Sequence, residues 1–415
     1  MSRGVIIILF LLSIVFKALA QQPLPIARNA QPAFDRGTRS SDGKPGKNYW
    51  QNHAIYEIHV DFSPRSRVIS GTEEIVYYNE SPDTLKELWF KLYPNHYKYG
   101  ALLNQLGMQA ADIGEGMRIE QVLINAGIVN IDDLVVTSTN MKLPTAPIPP
   151  HATTIIAMRF SYVLNRTSHF KTGMIDDSSA FVAYFFPRIA VYDDIDGWDS
   201  KRFYLGREEF YHDFCDFKVF VTVPQNYLVW ATGDLVNSSE VLAPEYVRRL
   251  AQSERTDGIT RIIDTPEVAR ERITSQMSTN TWRFEARNVT DFSFATSNHY
   301  AWYSTSLVVD PSTKRRTRVD AVFDPSHKIY FDVVNIARKT VESMSYRFPA
   351  WPFPFSHETV VDGLDEMEYP MLVNAHPRET RQGMITLVDH EIIHAIFPFY
   401  MGINRGGRKR DRYGV

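Results

Sequence analysis

Cysteine is nearly absent: the 415 residues include one, Cys215. No intrachain disulfide can form, so the fold must be held by burial, and cysteine-rich zinc sites are excluded. Net charge is equally scarce. A formal value of -3, from 45 basic and 48 acidic residues, gives no field that would gather nucleic acid or favour an acidic surface. A membrane-spanning run is lacking too. The apolar stretch Val5 to Phe16 is about twelve residues, too short to cross a bilayer comfortably. Arg3 precedes it, and Ala18 and Ala20 offer small residues at a cleavage site, so residues 1-20 read as a signal peptide. The mature chain is expected in the periplasm or outside the cell, with no stable membrane anchor after cleavage. Its oligomeric state has no sequence signature.

Apolar and aromatic residues are plentiful, at 44% and 13%, and the length implies two domains or more with sizeable cores. The polar stretch 21-47 reads as a disordered lead-in. From Tyr49 to about Tyr303 the dominant period is two. Tyr56, Ile58, Val60 and Phe62 alternate with polar residues, as do Phe217, Val219, Val221 and Val223, and then Trp282, Phe284 and Ala286. These are half-buried strands of a large antiparallel β domain of sandwich type. Pro244 to Gln252 and Pro266 to Gln276 read as helices of a surface insertion. Between Phe185 and Trp198, aromatics mix with Asp193, Asp194 and Asp196; a surface loop is expected, with a calcium loop as the alternative.

Near Arg315 the pattern changes to mixed α/β. Arg316 to Phe323 reads as a strand, Ile329 to Met344 as a helix, and Glu358 to Val361 as another strand. Glu366 to Asn374 reads as one extended strand, with Pro370 favouring a sheet edge. Such an edge is where an extended peptide can add itself by backbone hydrogen bonds.

The chemistry is concentrated in a helix expected over Met384 to Phe397, which carries His390-Glu391-Ile392-Ile393-His394. Positions i and i+4 lie one above the other on a helix, so the two imidazoles can converge on one zinc ion while Glu391 reaches a water that the ion holds. His-Glu-x-x-His occurs by chance in some chains. Here its neighbours Met384, Ile385, Leu387, Val388, Ile392, Ile393, Ile396 and Phe397 are apolar, so burying two histidines and a glutamate among them implies a shared partner such as a metal.

Met367-Glu368-Tyr369-Pro370-Met371-Leu372-Val373, twenty-two residues ahead of that motif counted from Glu368 to His390, carries a resemblance. With the Tyr77 to Leu85 and Tyr192 to Trp198 segments, the chain is similar to the M1 family of zinc aminopeptidases from about Tyr49 to Asn404. The resemblance implies a β plus α/β multidomain chain. Its parts would be a large antiparallel, sandwich- or saddle-like β domain at 48-312 and an incomplete thermolysin-like α/β metallopeptidase domain at 313-404.

By that resemblance His390 and His394 are metal ligands, Glu391 is the general base, and Glu368 binds the free α-amino group of a peptide, flanked by Met367 and Tyr369 as substrate-binding positions. Tyr369 stands where the family commonly has asparagine, and Asp365 and Glu366 where it has small residues. The family's third ligand, a glutamate nineteen residues after the second histidine, falls here on Tyr413. Residues 405-415 read as an aberrant basic tail, and little or no hydrolysis is expected of this chain alone. Two other readings stay open: a non-catalytic peptide-binding remnant, and a zinc endopeptidase in which Glu368 is incidental.

Overall fold

The computed structural model describes residues 25-101, 109-166, 171-202, 211-268 and 272-397. The expected signal peptide, the Tyr413 position and the expected aberrant tail lie outside the described residues. The chain divides into two compact units. Among the described residues, one comprises 25-49 with Asp194–Asp196; the other comprises the described residues of 50-193 and 197-397.

In the smaller unit, a short helix at Gln31–Asp35 begins with Pro32 in its first turn. Thr38 Oγ1 then donates to Asp194 Oδ2 at 2.7 Å, and Arg39 grips both oxygens of Asp194 at 2.8 and 2.9 Å. Part of the expected lead-in is thus ordered by a partner far away in sequence, which composition cannot reveal. It also gives Asp194 a guanidinium, where a calcium loop would have left it open.

The larger unit is mostly β, in several sheets with few helices, and no closed barrel forms among the described residues. Its widest sheet has eight strands, in the order Asp234–Leu235, Thr279–Val289, Cys215–Pro224, His53–Phe62, Val68–Tyr78, Thr153–Val163, Arg118–Ile124 and Gly127–Ile128. Alternation sets its inner face: Ala54, Tyr56, Ile58, Val60 and Phe62 are buried along one strand while their neighbours are more exposed. Aromatic pairs carry that face onto the next layer, as Phe62 meets Phe294 at 6.3 Å and Tyr56 meets Phe186 at 5.6 Å. One pairing departs from the antiparallel expectation. His53–Phe62 runs parallel to Cys215–Pro224. The first insertion helix forms at Pro244–Ser253; the second does not, since only Thr265–Glu267 is helical there, as a single 3₁₀ turn, among the described residues.

A six-stranded sheet carries the rest. Its order is Thr260–Ile263, Ala301–Asp310, Arg315–Phe323, His357–Asp362, Leu372–Ala375 and Glu366–Tyr369. The boundary expected between 312 and 313 falls on the turn joining Ala301–Asp310 to Arg315–Phe323, so this sheet draws strands from both sides of it. Arg315–Phe323 and His357–Asp362 are parallel, joined through the helix Val333–Tyr346. That helix buries Val333, Val334, Ile336, Ala337, Val341 and Met344 at helical spacing. The last helix, Arg381–Ile393, packs beside it, with Thr340 donating to Asp389.

Candidate metal centre

The motif helix starts where Thr380, in extended conformation, accepts a hydrogen bond from Gly383 N at 3.1 Å through its side-chain oxygen. This threonine N-cap places the first helical residue at Arg381, three ahead of the expected start. The buried stripe is Met384, Leu387, Val388, Glu391 and Ile392, so Glu391 occupies a core-facing position and is 3% exposed. One step along a helix rotates a side chain by about 100°. His390 is accordingly exposed and His394 half-buried, which corrects the sequence argument that all three polar residues are buried. Only Glu391 bears that cost.

His394 is the C-cap of the helix and keeps right-handed helical angles (φ -60°, ψ -20°), so the i, i+4 stacking outlasts the helix end at Ile393. The Nε2 atoms of His390 and His394 lie 3.3 Å apart, with ring planes at 86°. Two nitrogens held at 2.0–2.1 Å from one tetrahedral zinc are separated by about 3.3 Å. The pair therefore fits that ion. On the far side of the His394 ring, Nδ1 is 2.8 Å from the Phe397 carbonyl oxygen. A carbonyl only accepts, so Nδ1 carries the hydrogen and Nε2 keeps the lone pair a metal needs.

Glu368 reaches the same place from the sheet. It lies on the edge strand Glu366–Tyr369, is 5% exposed, and sets Oε1 at 3.7 Å from His394 Nδ1. Ligand atoms of Glu368, Glu391 and His394 all lie within 4.8 Å of one another; no other group of three or more His, Cys, Asp or Glu residues is as compact among the described residues. His390 stands outside that group and adjoins it through His394. Met367 and Tyr369 alternate to the opposite face, where both are buried. Tyr369 packs on Phe181 and Tyr184 with centroids at 5.3 and 5.9 Å, and its hydroxyl donates to the Lys171 carbonyl. The structure thus brings Glu368, Glu391 and the two histidines together. Of Met367 and Tyr369 it leaves the centre only backbone.

The expected continuous strand from Glu366 to Asn374 is instead a tight hairpin. Tyr369 pairs with Leu372, and Met371 takes φ +67° after Pro370, the geometry of a type II turn with proline at its second position. Proline and a left-handed residue end a strand; periodicity alone reads through them. Before the hairpin, Asn374 Oδ1 accepts from Leu364 N at 3.0 Å and Asp365 N at 3.4 Å. Asp365 in turn accepts from Lys171 N at 2.8 Å and from Glu366 N at 3.0 Å. Glu366 pairs with Arg378, both partly exposed. The two acidic residues that depart from the family pattern are therefore engaged in holding the strand. Gly363 and Asn374, which hold the strand carrying Glu368, were missed by sequence reasoning; the Asp-Gly step at 362 and 363 was the available turn signal. Just ahead of that turn, burial pushes the Asp362 carboxyl up to about 6, against the pull of His327 Nδ1 at 2.7 Å.

No protein-family model and no curated protein matches the chain. Solved structures do. The chain is similar to an M1 zinc metallopeptidase from Deinococcus radiodurans, with a TM-score of 0.50 at 12% identity, over 87% of this chain and 67% of that one. The chain has a metallopeptidase-like fold. A mutant form of the same Deinococcus protein gives 0.51 at 12%, over 87% and 68%. Legionella pneumophila aminopeptidase A, in complex with aspartic acid, gives 0.51 at 14%, over 85% of this chain and 35% of that one. At these identities the likeness is one of fold, and this metallopeptidase-like fold spans about two thirds of the Deinococcus chain.

Proposed function

We propose that this protein is a zinc metallopeptidase of aminopeptidase type, exported from the cell, whose chemistry is the removal of N-terminal residues from peptides, with little hydrolysis expected of this chain alone. The observation that carries the reading is the 3.3 Å approach of the His390 and His394 Nε2 atoms beside the buried carboxylates of Glu391 and Glu368. The metallopeptidase-like fold supports it, and the apolar run near the N-terminus supports export. Zinc, when held by the two imidazoles, supplies a Lewis acid and lowers the pKa of a bound water.

The chain's own groups do the rest. Glu391 takes the proton of the attacking water and returns it to the departing amine. Glu368 offers a buried carboxylate to the α-ammonium of the substrate; an acetylated N-terminus would leave that charge unpaired, which is the basis for selecting free ends. The edge strand Glu366–Tyr369 presents backbone groups to an extended peptide. A two-histidine set holds zinc loosely, so the rate should saturate only with zinc in excess.

Zinc-loaded protein and its variants on a short free-amine peptide test the reading. Glu391→Gln should lower kcat by a factor of 10² or more with a small change in KM. Glu368→Gln should raise KM for the free-amine peptide and erase the preference over its N-acetylated form. Full activity in Glu391→Gln would overturn the mechanism. Equal cleavage of both peptides by the unmodified protein would favour the endopeptidase reading, and binding without turnover the non-catalytic one.

A further inference from the structure

We propose that Glu368, beyond receiving the substrate amine, is a positioning residue for the metal: it holds and charge-balances the His394 imidazole from behind. The inference rests on the zinc reading above but concerns a different interaction. His394 has two ring nitrogens with separate duties. Nε2 faces Nε2 of His390 at 3.3 Å, and Nδ1 carries the hydrogen, fixed by the Phe397 carbonyl at 2.8 Å.

Glu368 Oε1 is 3.7 Å from that same Nδ1, with side-chain exposures of 6% for Glu368 and 13% for His394. The carboxylate therefore addresses the N–H side of the ring, away from the lone pair that a metal takes. A cation on Nε2 draws electrons from the ring and makes the N–H more positive, which strengthens its attraction to a carboxylate sheltered from water. At 3.7 Å this attraction is electrostatic, and it adds to the hydrogen bond with Phe397 that orients the ring.

Charge balance points the same way. Glu368 and Glu391 are both buried, and their carboxylates and the His394 ligand atom fall within 4.8 Å of one another. Two carboxylates so close repel unless a positive charge joins them. A metal on the His390 side supplies that charge through His394, and Glu368 is the carboxylate set to receive it. The hairpin turn at Pro370 and Met371, the Asn374 amide and the Asp365 contacts fix the strand from which Glu368 projects, so its placement belongs to the fold.

The test needs neither substrate nor turnover. Zinc affinity of the purified full chain is measured by competition with a chromophoric chelator, for the unmodified protein and for Glu368→Gln, His390→Ala and His394→Ala. The proposal expects Glu368→Gln to weaken zinc by 10- to 100-fold, the range found for outer-shell partners of metal-bound histidines. The urea midpoint of the metal-free protein is measured alongside. A weakening with that midpoint preserved supports the positioning role; a weakening that only accompanies a collapsed midpoint overturns it. Unchanged affinity in Glu368→Gln, with affinity lost in both histidine variants, would also overturn it while sparing the metal centre. If the histidine variants keep their affinity as well, the metal reading itself has failed.

Discussion

Gly363→Ala should be among the more damaging small substitutions in this chain, and it should act through one side chain. A Cβ at position 363 would sit 1.8 Å from Asn374 Oδ1 and 2.9 Å from its Cγ. Gly363 is outside the left-handed region, so the effect is steric and not conformational. To restore an ordinary contact, the Asn374 amide must retreat by roughly 1.5 Å or more. That movement gives up the acceptor of Leu364 N and Asp365 N, at 3.0 and 3.4 Å. Two such hydrogen bonds contribute about 0.5–1.5 kcal/mol each, the longer one at the low end, and forced overpacking adds about 1–3 kcal/mol.

The expected total is about 2–5 kcal/mol. Asn374→Ala removes the obstacle and costs about 1–2 kcal/mol by itself, so the two changes together should cost less than their sum by at least about 1.5 kcal/mol. Urea unfolding of the four proteins, followed by tryptophan fluorescence, reads the coupling from midpoints at constant m. Equal cost of Gly363→Ala in both backgrounds would refute the steric account.

Asp291 offers a pH signature elsewhere in the β layers: burial pushes its carboxyl up to about 7, against the pull of Arg188 and the Phe292 N–H. The folded chain then holds a proton that the unfolded chain has already lost between about pH 4 and 7, so this group's contribution falls as pH rises through that window, by on the order of a few kcal/mol. Asp291→Asn should flatten the dependence of the urea midpoint between pH 5 and 8; an unchanged slope would place the titration elsewhere. Thr380→Ala should cost about 1 kcal/mol by removing the cap of the motif helix, while Thr380→Asp should be close to neutral. Thermal unfolding of both variants checks this, and equal losses would show that the cap contributes nothing.

Much of the fold was legible because it rests on periodicity. Tyr56 to Phe62 and Phe217 to Val223 alternate in sequence and in burial, and the helix expected over Ile329 to Met344 forms at Val333–Tyr346. Features that failed to show depend on partners remote in sequence. Asp194 orders Thr38 and Arg39 from 155 positions away or more, and nothing near either end announces it. Pattern also cannot say which way one polar residue in an apolar helix will point. His390 and Glu391 are adjacent, yet one faces solvent and the other the core.

The candidate site was legible by spacing: i and i+4 sufficed for the histidine pair. Glu368 could be named only through resemblance, because its approach to His394 is made by the hairpin at Pro370 and Met371, read in sequence as a straight strand. Gly363 and Asn374, which set that strand, carry no chemistry of their own and so gave no motif to find.

Release of the N-terminal residue from a free-amine tripeptide and from its N-acetylated twin, by the same zinc-loaded preparation, tests the central claim most directly. The account predicts slow release from the free peptide alone, in keeping with the little hydrolysis expected of this chain, at a rate that rises with added zinc. Equal cleavage of the two, or release from the free peptide that persists after chelation, would contradict it.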